Sequence, residues 1–207
     1  MDYDFTSNSI INVAIVLACL LVSITIHEFM HAFVGFRLGD TTAMENGRVS
    51  FNPLHHIDPF MTILLPALTL YFFKFPFIAA KPVPFNPARL KYDEYGAALL
   101  ALAGPLSNIA LAFLAALLLR FADFGTFLNS VMKFFVVLNV ILAVFNLIPI
   151  PPLDGSRGLY AFAPEPLQDL MARIEPYGFF IIIILVLSGG AANVLAYLDN
   201  LVLSWLP

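Results

Sequence analysis

The sequence predicts an all-α polytopic membrane protein, and three observations predict it. Of its 207 residues, 60% are hydrophobic and only 12% charged, with a mean hydropathy of +0.89. A soluble domain is about 45–50% apolar and about 25% charged, so this chain has too little polar surface to face water all round. Secondly, Phe5–Ile26, Tyr95–Leu119, Phe134–Leu153 and Tyr177–Leu198 each lack Asp, Glu, Lys and Arg. Each reaches the roughly 20 residues that a membrane-spanning helix needs. Thirdly, no gap between them is large enough for a soluble domain. The expected organisation is one membrane-embedded domain over 1–207, with a core over about 8–158 and a C-terminal membrane helix or helices over about 174–206.

The elements follow in order. Phe5–Ile26 begins beside Asp2 and Asp4, where a secretory signal is basic, and no small-residue cleavage site follows, so it reads as a retained helix. It holds Cys19, the sole cysteine, which leaves no internal disulfide. Gly39–Asn52 is polar, and GRVSF within it, Gly47–Phe51, alternates like a short strand. Pro59–Phe73 has 15 uncharged residues and contains Pro66, short for a full crossing and suited to a re-entrant or broken element. Lys81–Pro87 holds three prolines in seven residues and is extended. Gly104-Pro105 reads as a first helical turn, with glycine allowing close approach. Asp123–Ser130 is a turn. Pro149, Pro151 and Pro152 end the third long stretch, Ser156–Pro176 is polar and suits the membrane interface, and Gly189–Gly190 is a break in the last stretch.

Chemistry concentrates just after the first stretch. His27-Glu28-Phe29-Met30-His31 fits HExxH. On a helix, positions i and i+4 share a face, so both imidazoles reach one metal ion. Glu28 lies about 100° round the helix, within reach of a water at that metal. A five-residue pattern with three fixed positions also arises by chance. Within a membrane stretch, however, each ionisable group costs at least about 2.5–3.5 kcal/mol unless it is paired or ligating. Catalytic zinc takes three protein ligands, so a third must exist. Asp154 follows a long apolar run and three prolines. His55, His56 and Asp58 compete with it; Asp58 equally suits a helix cap before Pro59, and the histidines a membrane surface. The net charge of −4, with no basic stripe, argues against a nucleic-acid partner.

These residues resemble a known family. HEFMH in a membrane helix, GPLSN at Gly104–Asn108 and FNLIPIPPLDG at Phe145–Gly155 look like the site-2 proteases, the intramembrane zinc metallopeptidases of family M50. FNPLHHIDPF and AAKPVPFNP further resemble the small prokaryotic members without a regulatory domain. The resemblance covers about residues 20–160. It implies a three-helix catalytic core with accessory helices, one Zn2+ per chain on His27, His31 and Asp154, and Glu28 as catalytic base. Many relatives carry glycine where Met30 stands, a position that is not a ligand. Asn108 and Asn146 suit either interhelical hydrogen bonds or a hold on the substrate carbonyl or oxyanion. The implied activity is cleavage of transmembrane segments of single-span proteins within the lipid bilayer. A membrane zinc carrier or channel is the alternative, but a carrier repeats its ligands or halves, and one ligand set is present here. A catalytically dead scaffold fits poorly with an intact Glu28.

Topology follows from counting crossings in a multi-pass protein of the cell membrane. No Lys or Arg precedes the first helix, whereas Arg37 and Arg48 follow it, so its C-terminal end is expected in the cytoplasm. Asp154 must reach the same side as the histidines. A single crossing at Pro59–Phe73 would strand it on the far side, so residues 57–80 should re-enter or cross an even number of times. The N-terminus is then outside and the active site is reached from the cytoplasm. In a Cys19→Ala background, an impermeant thiol reagent applied outside should label cysteine at position 7 and not at position 89. Outside labelling at 89 refutes this topology.

Overall fold

The computed structural model describes residues 10–58, 64, 71, 83–188, 197, 200, 201 and 204. Its helices are α1 (Ile10–Arg37), α2 (Thr42–Glu45), α3 (Asp93–Phe121), α4 (Thr126–Asn146), α5 (Asp154–Tyr160), α6 (Glu165–Ile174) and α7 (Gly178–Leu187), with short 3-10 turns at Pro53–His55, Pro87–Arg89 and Glu175–Tyr177. No strand occurs among the described residues. Apart from Ile57, Asp58, Leu64 and Tyr71, the segment at 57–80 expected to re-enter the membrane lies outside the described residues, as does the break at Gly189–Gly190.

Among the described residues, α1, α3 and α4 are long and apolar enough to cross a membrane, which makes the chain a multi-pass membrane protein. Their outward faces carry large exposed apolar side chains: Ile10, Val13, Leu17 and Val22 on α1, and Ile109, Phe113 and Leu117 on α3. In water such a surface is a liability; in lipid it is the solvated face. Helix α3 is central, packing against α1, α4 and α5. Small residues line its buried side, including Ala98, Ala101, Gly104, Ala112 and Ala115, so that backbones approach closely. Ala112, Ala115 and Leu119 of α3 close on Val136 of α4.

Several boundaries differ from those read in the sequence. Helix α1 continues 11 residues past Ile26, to Arg37, because no proline interrupts it. It stops where Gly39 adopts φ +104°, a conformation that L residues avoid. Helix α3 begins at Asp93, so Pro105 sits inside it rather than in a first turn, and the Ala101 carbonyl loses its helical donor there. The turn before α4 is only Ala122–Gly125; the Asp123 carboxylate accepts from the Gly125 N–H and the Asn129 amide, letting the helix start at Thr126. Helix α4 ends at Asn146, seven residues before Leu153, because Pro149 disfavours helical backbone at Ile148. The polar stretch after Asp154 folds into α5 and α6.

The expected strand at Gly47–Phe51 is a loop instead. Its backbone groups bond locally: the Arg48 N–H donates to the Ala43 carbonyl, and the Ser50 N–H to the Arg48 carbonyl. His55 Nδ1 donates to the Gly47 carbonyl, His56 Nε2 to the Ser50 carbonyl, and Arg48 to the His55 carbonyl. A strand edge would present these groups to a neighbour; here the loop itself uses them. Phe51 stacks on Phe29, with ring centroids 3.9 Å apart, and so lays the loop on α1 beside the HExxH turn.

Asp40 ties the end of α1 to the segment before α3. It is buried, and its carboxylate accepts from the Thr42 hydroxyl, from the Thr42 N–H at 3.0 Å and from the Asn86 N–H at 2.6 Å. Burial pushes the carboxyl up, but those three hydrogen bonds and the charge of Arg89 outweigh it and hold it below the usual carboxylate range. Asp40→Asn turns one acceptor into a donor facing donors. We expect a loss of about 1–3 kcal/mol, read as a lower thermal midpoint in detergent at neutral pH. Because the folded-state pKa is depressed, Asp40 stabilises fully above its unfolded pKa of about 3.9, and the contribution vanishes as pH falls through the folded value. The gap between parent and variant should therefore close at acid pH.

Candidate active site

Three residues from two distant parts of the chain converge. His27 and His31 lie one turn apart on α1, both buried. Asp154, the first residue of α5, meets them from the far side of the proline-rich turn. His27 Nε2 and His31 Nε2 are 3.0 Å apart. Asp154 Oδ2 lies 3.1 Å from the first and 3.3 Å from the second. Among the described residues, this is the cluster of His, Cys, Asp and Glu able to hold a metal ion.

The other nitrogen of each ring decides what those atoms offer. His31 Nδ1 lies 2.8 Å from the Leu100 carbonyl, which can only accept, so Nδ1 carries the proton. His27 Nδ1 lies 2.6 Å from Asn108 Oδ1 and donates to it. In neutral rings both Nε2 atoms therefore present lone pairs to each other and to a carboxylate oxygen. Three electron-rich atoms this close need a cation between them. Zinc fits: it takes imidazole and carboxylate ligands tetrahedrally at about 2.0–2.2 Å, which sets donors roughly 3.3–3.5 Å apart.

Gly104 supplies the room. A Cβ built there would lie 2.3 Å from His31 Nε2 and 2.6 Å from His27 Nε2. The close approach expected of Gly104 is thus directed at the two imidazoles. Asn108, one turn on, is fully buried and spends its amide N–H on Asn139 at 2.8 Å. Asn146 is half-buried at the end of α4 and donates to the Leu142 carbonyl at 2.9 Å. Glu28 is buried on α1 beside the pair. The competing histidines stay apart from the cluster. His55 is exposed and His56 is 2% exposed, and each commits a ring nitrogen to the loop at 47–50. Sequence reasoning did not single out Asn139, Ser23 or the Leu100 carbonyl. For Asn139 a signal existed, since an amide inside an uncharged membrane stretch defaults to a functional or interhelical role.

A buried HExxH pair completed by an aspartate, set within membrane-spanning helices, defines a membrane-embedded metallopeptidase architecture. Comparison agrees. The profile of peptidase family M50 matches residues 122–189. The chain is 37% identical over 175 residues to YwhC of Bacillus subtilis, covering 80% of this chain and 77% of that protein. It is 33% identical over 180 residues to Rip2 of Mycolicibacterium smegmatis, covering 84% and 67%. With MJ0611 of Methanocaldococcus jannaschii the identity is 34% over 133 residues, covering 64% and 62%. All three carry the name of a candidate zinc metalloprotease. No solved structure matches. The chain belongs to peptidase family M50, the site-2 protease family.

The room at Gly104 is testable. Gly104→Ala places a methyl group where the two Nε2 atoms converge, so the purified variant should lose bound zinc while its helix content stays close to that of the parent. Metal analysis and circular dichroism decide; full zinc loading would show that the histidines converge elsewhere.

Proposed function

We propose that this membrane metalloprotease is an intramembrane zinc endopeptidase that cleaves transmembrane segments of single-span proteins, with its site reached from the cytoplasm. The observation that carries the reading is the meeting of His27 Nε2, His31 Nε2 and Asp154 Oδ2 within 3.3 Å of one another. His27, His31 and Asp154 are the metal ligands. Bound zinc supplies Lewis acidity for a peptide carbonyl and for the attacking water. Glu28 takes a proton from that water as its oxygen adds to the carbonyl carbon. The same carboxyl gives the proton to the amide nitrogen as the C–N bond breaks. His55 and His56 serve the loop that rests on α1. Asn108 serves His27, which leaves Asn146 as the amide to hold the substrate carbonyl. A helical substrate hides its carbonyls in hydrogen bonds, so it must unwind at the cut. Substrate helices bearing Gly, Asn or Pro there should be favoured.

The experiment is zinc-dependent cleavage of a transmembrane reporter by the purified protein in liposomes. Glu28→Gln should keep zinc and lose roughly 10²–10⁴-fold in rate. Asp154→Ala should lose zinc, whereas His55→Ala and His56→Ala should keep it. Near-parental turnover by Glu28→Gln sinks the base assignment. A loaded Asp154→Ala beside an empty His55 or His56 variant sinks the third ligand. Zinc flux without cleavage would favour a carrier.

A further inference from the structure

The hydrogen bonds behind His27 form a chain whose sense is fixed at one end. Asn139 on α4 is fully buried and touches α1 at Ser23 and α3 at Asn108. One atom of its amide lies 2.9 Å from the Phe135 carbonyl and 2.9 Å from the Ser23 hydroxyl. A backbone carbonyl can only accept, so that atom is the nitrogen. The Ser23 hydroxyl donates in turn to the Cys19 carbonyl at 2.8 Å, which leaves its oxygen free to accept. The other end of the Asn139 amide must then be oxygen, and it faces Asn108. A partner for an oxygen must donate, so Asn108 turns its NH2 to Asn139, at 2.8 Å. Its own oxygen is left facing His27 Nδ1, at 2.6 Å.

We propose that Asn139 is a positioning residue for the metal site: through Asn108 it fixes the proton of His27 on Nδ1 and keeps the Nε2 lone pair for the metal. The Phe135 carbonyl sets the sense of every bond between it and His27. Without Asn139, Asn108 has no acceptor for its NH2. Its amide can then rotate and present N–H to His27 Nδ1. That orientation favours the tautomer with the proton on Nε2, which cannot ligate. His31 needs no such device, because a backbone carbonyl holds its Nδ1 directly. Asn139 touches neither metal nor substrate, so an effect on zinc must travel through Asn108.

The inference rests on the zinc site proposed above, and the test separates the two. The full chain in detergent is titrated with Zn2+ against a chelator of known affinity, and the ring nitrogens of His27 are observed by 15N NMR in the zinc-free protein. Asn139→Leu should weaken zinc binding about 10–100-fold, as the loss of an outer-shell partner does elsewhere. It should also move the His27 proton from Nδ1 to Nε2. Asn108→Asp offers oxygen on both sides and no N–H, so His27 Nδ1 keeps an acceptor whatever stands at 139. Adding Asn139→Leu to Asn108→Asp should therefore leave zinc affinity unchanged. If Asn139→Leu does not fold, Asn139→Val, a smaller side chain, takes its place in both backgrounds. Zinc binding as tight as the parent's, or weaker binding with the His27 proton still on Nδ1, would overturn the proposal and leave Asn139 as interhelical packing. A parent protein that binds no zinc would instead overturn the proposed function.

Discussion

The antiparallel seam between α1 and α3 sets the spacing on which everything else depends. Along α1, Cys19, Ser23, His27, His31 and Gly35 recur every four residues on one buried face. Along α3, Leu100, Gly104, Asn108 and Ala112 do the same. Laid antiparallel, His31 meets the Leu100 carbonyl and His27 meets the Asn108 amide. Between them Gly104 leaves room for the two imidazoles, and Gly35 makes room for the Leu100 side chain. Lipid tails are as apolar as leucine, so no hydrophobic force drives two such helices together. Packing of small residues and interhelical hydrogen bonds must do so, the latter worth about 0.6–2 kcal/mol each. The groups that aim the imidazoles are therefore also the groups that hold the bundle.

Asp154 is delivered by a different device. Helix α4 ends at Asn146, and the chain must turn back to bring a carboxylate to α1. Prolines at 149, 151 and 152 keep the turn from continuing the helix. Short hydrogen-bonded steps, Ile150 N–H to the Ile148 carbonyl and Leu153 N–H to the Ile150 carbonyl, fold it tightly. Gly155 then seats the start of α5 on the end of α4: a Cβ there would lie 2.2 Å from the Leu147 carbonyl oxygen. The Ser156 hydroxyl closes the corner on the Leu153 carbonyl at 2.7 Å. The carboxylate sits at a helix N-terminus, where negative charge is favoured. The dipeptide Asp154-Gly155 thus joins the carboxylate that meets the histidines to the residue small enough to place it.

Much of this was legible because membrane chemistry restricts the alphabet. An imidazole pair at i, i+4 beside a span has few meanings, and an aspartate after three prolines has few partners. What misled was boundary and neighbourhood. Pro105 looks like a helix start, yet α3 already runs for 12 residues before it, since membrane helices tolerate proline. Gly47–Phe51 alternates like a strand, but alternation gives no partner strand, and the loop satisfies its own carbonyls with His55 and His56. Asn139 lay in plain view within an apolar stretch. Its part depends on which atoms of three helices meet, and a linear sequence does not carry that.

The polar groups are also distributed unevenly about the trio of His27, His31 and Asp154. On its inner side stand Asn108, Asn139 and Ser23, each 0% exposed and each hydrogen-bonded. Buried amides left unpaired in lipid would cost several kcal/mol apiece, so this side is both closed and committed. On the other side the Asp154 side chain is 21% exposed, against 9% and 6% for the histidines. The loop carrying Phe51 covers the Phe29 turn next to it. Among the described residues, the trio is thus closed on its inner side and more open beside the Asp154 carboxylate.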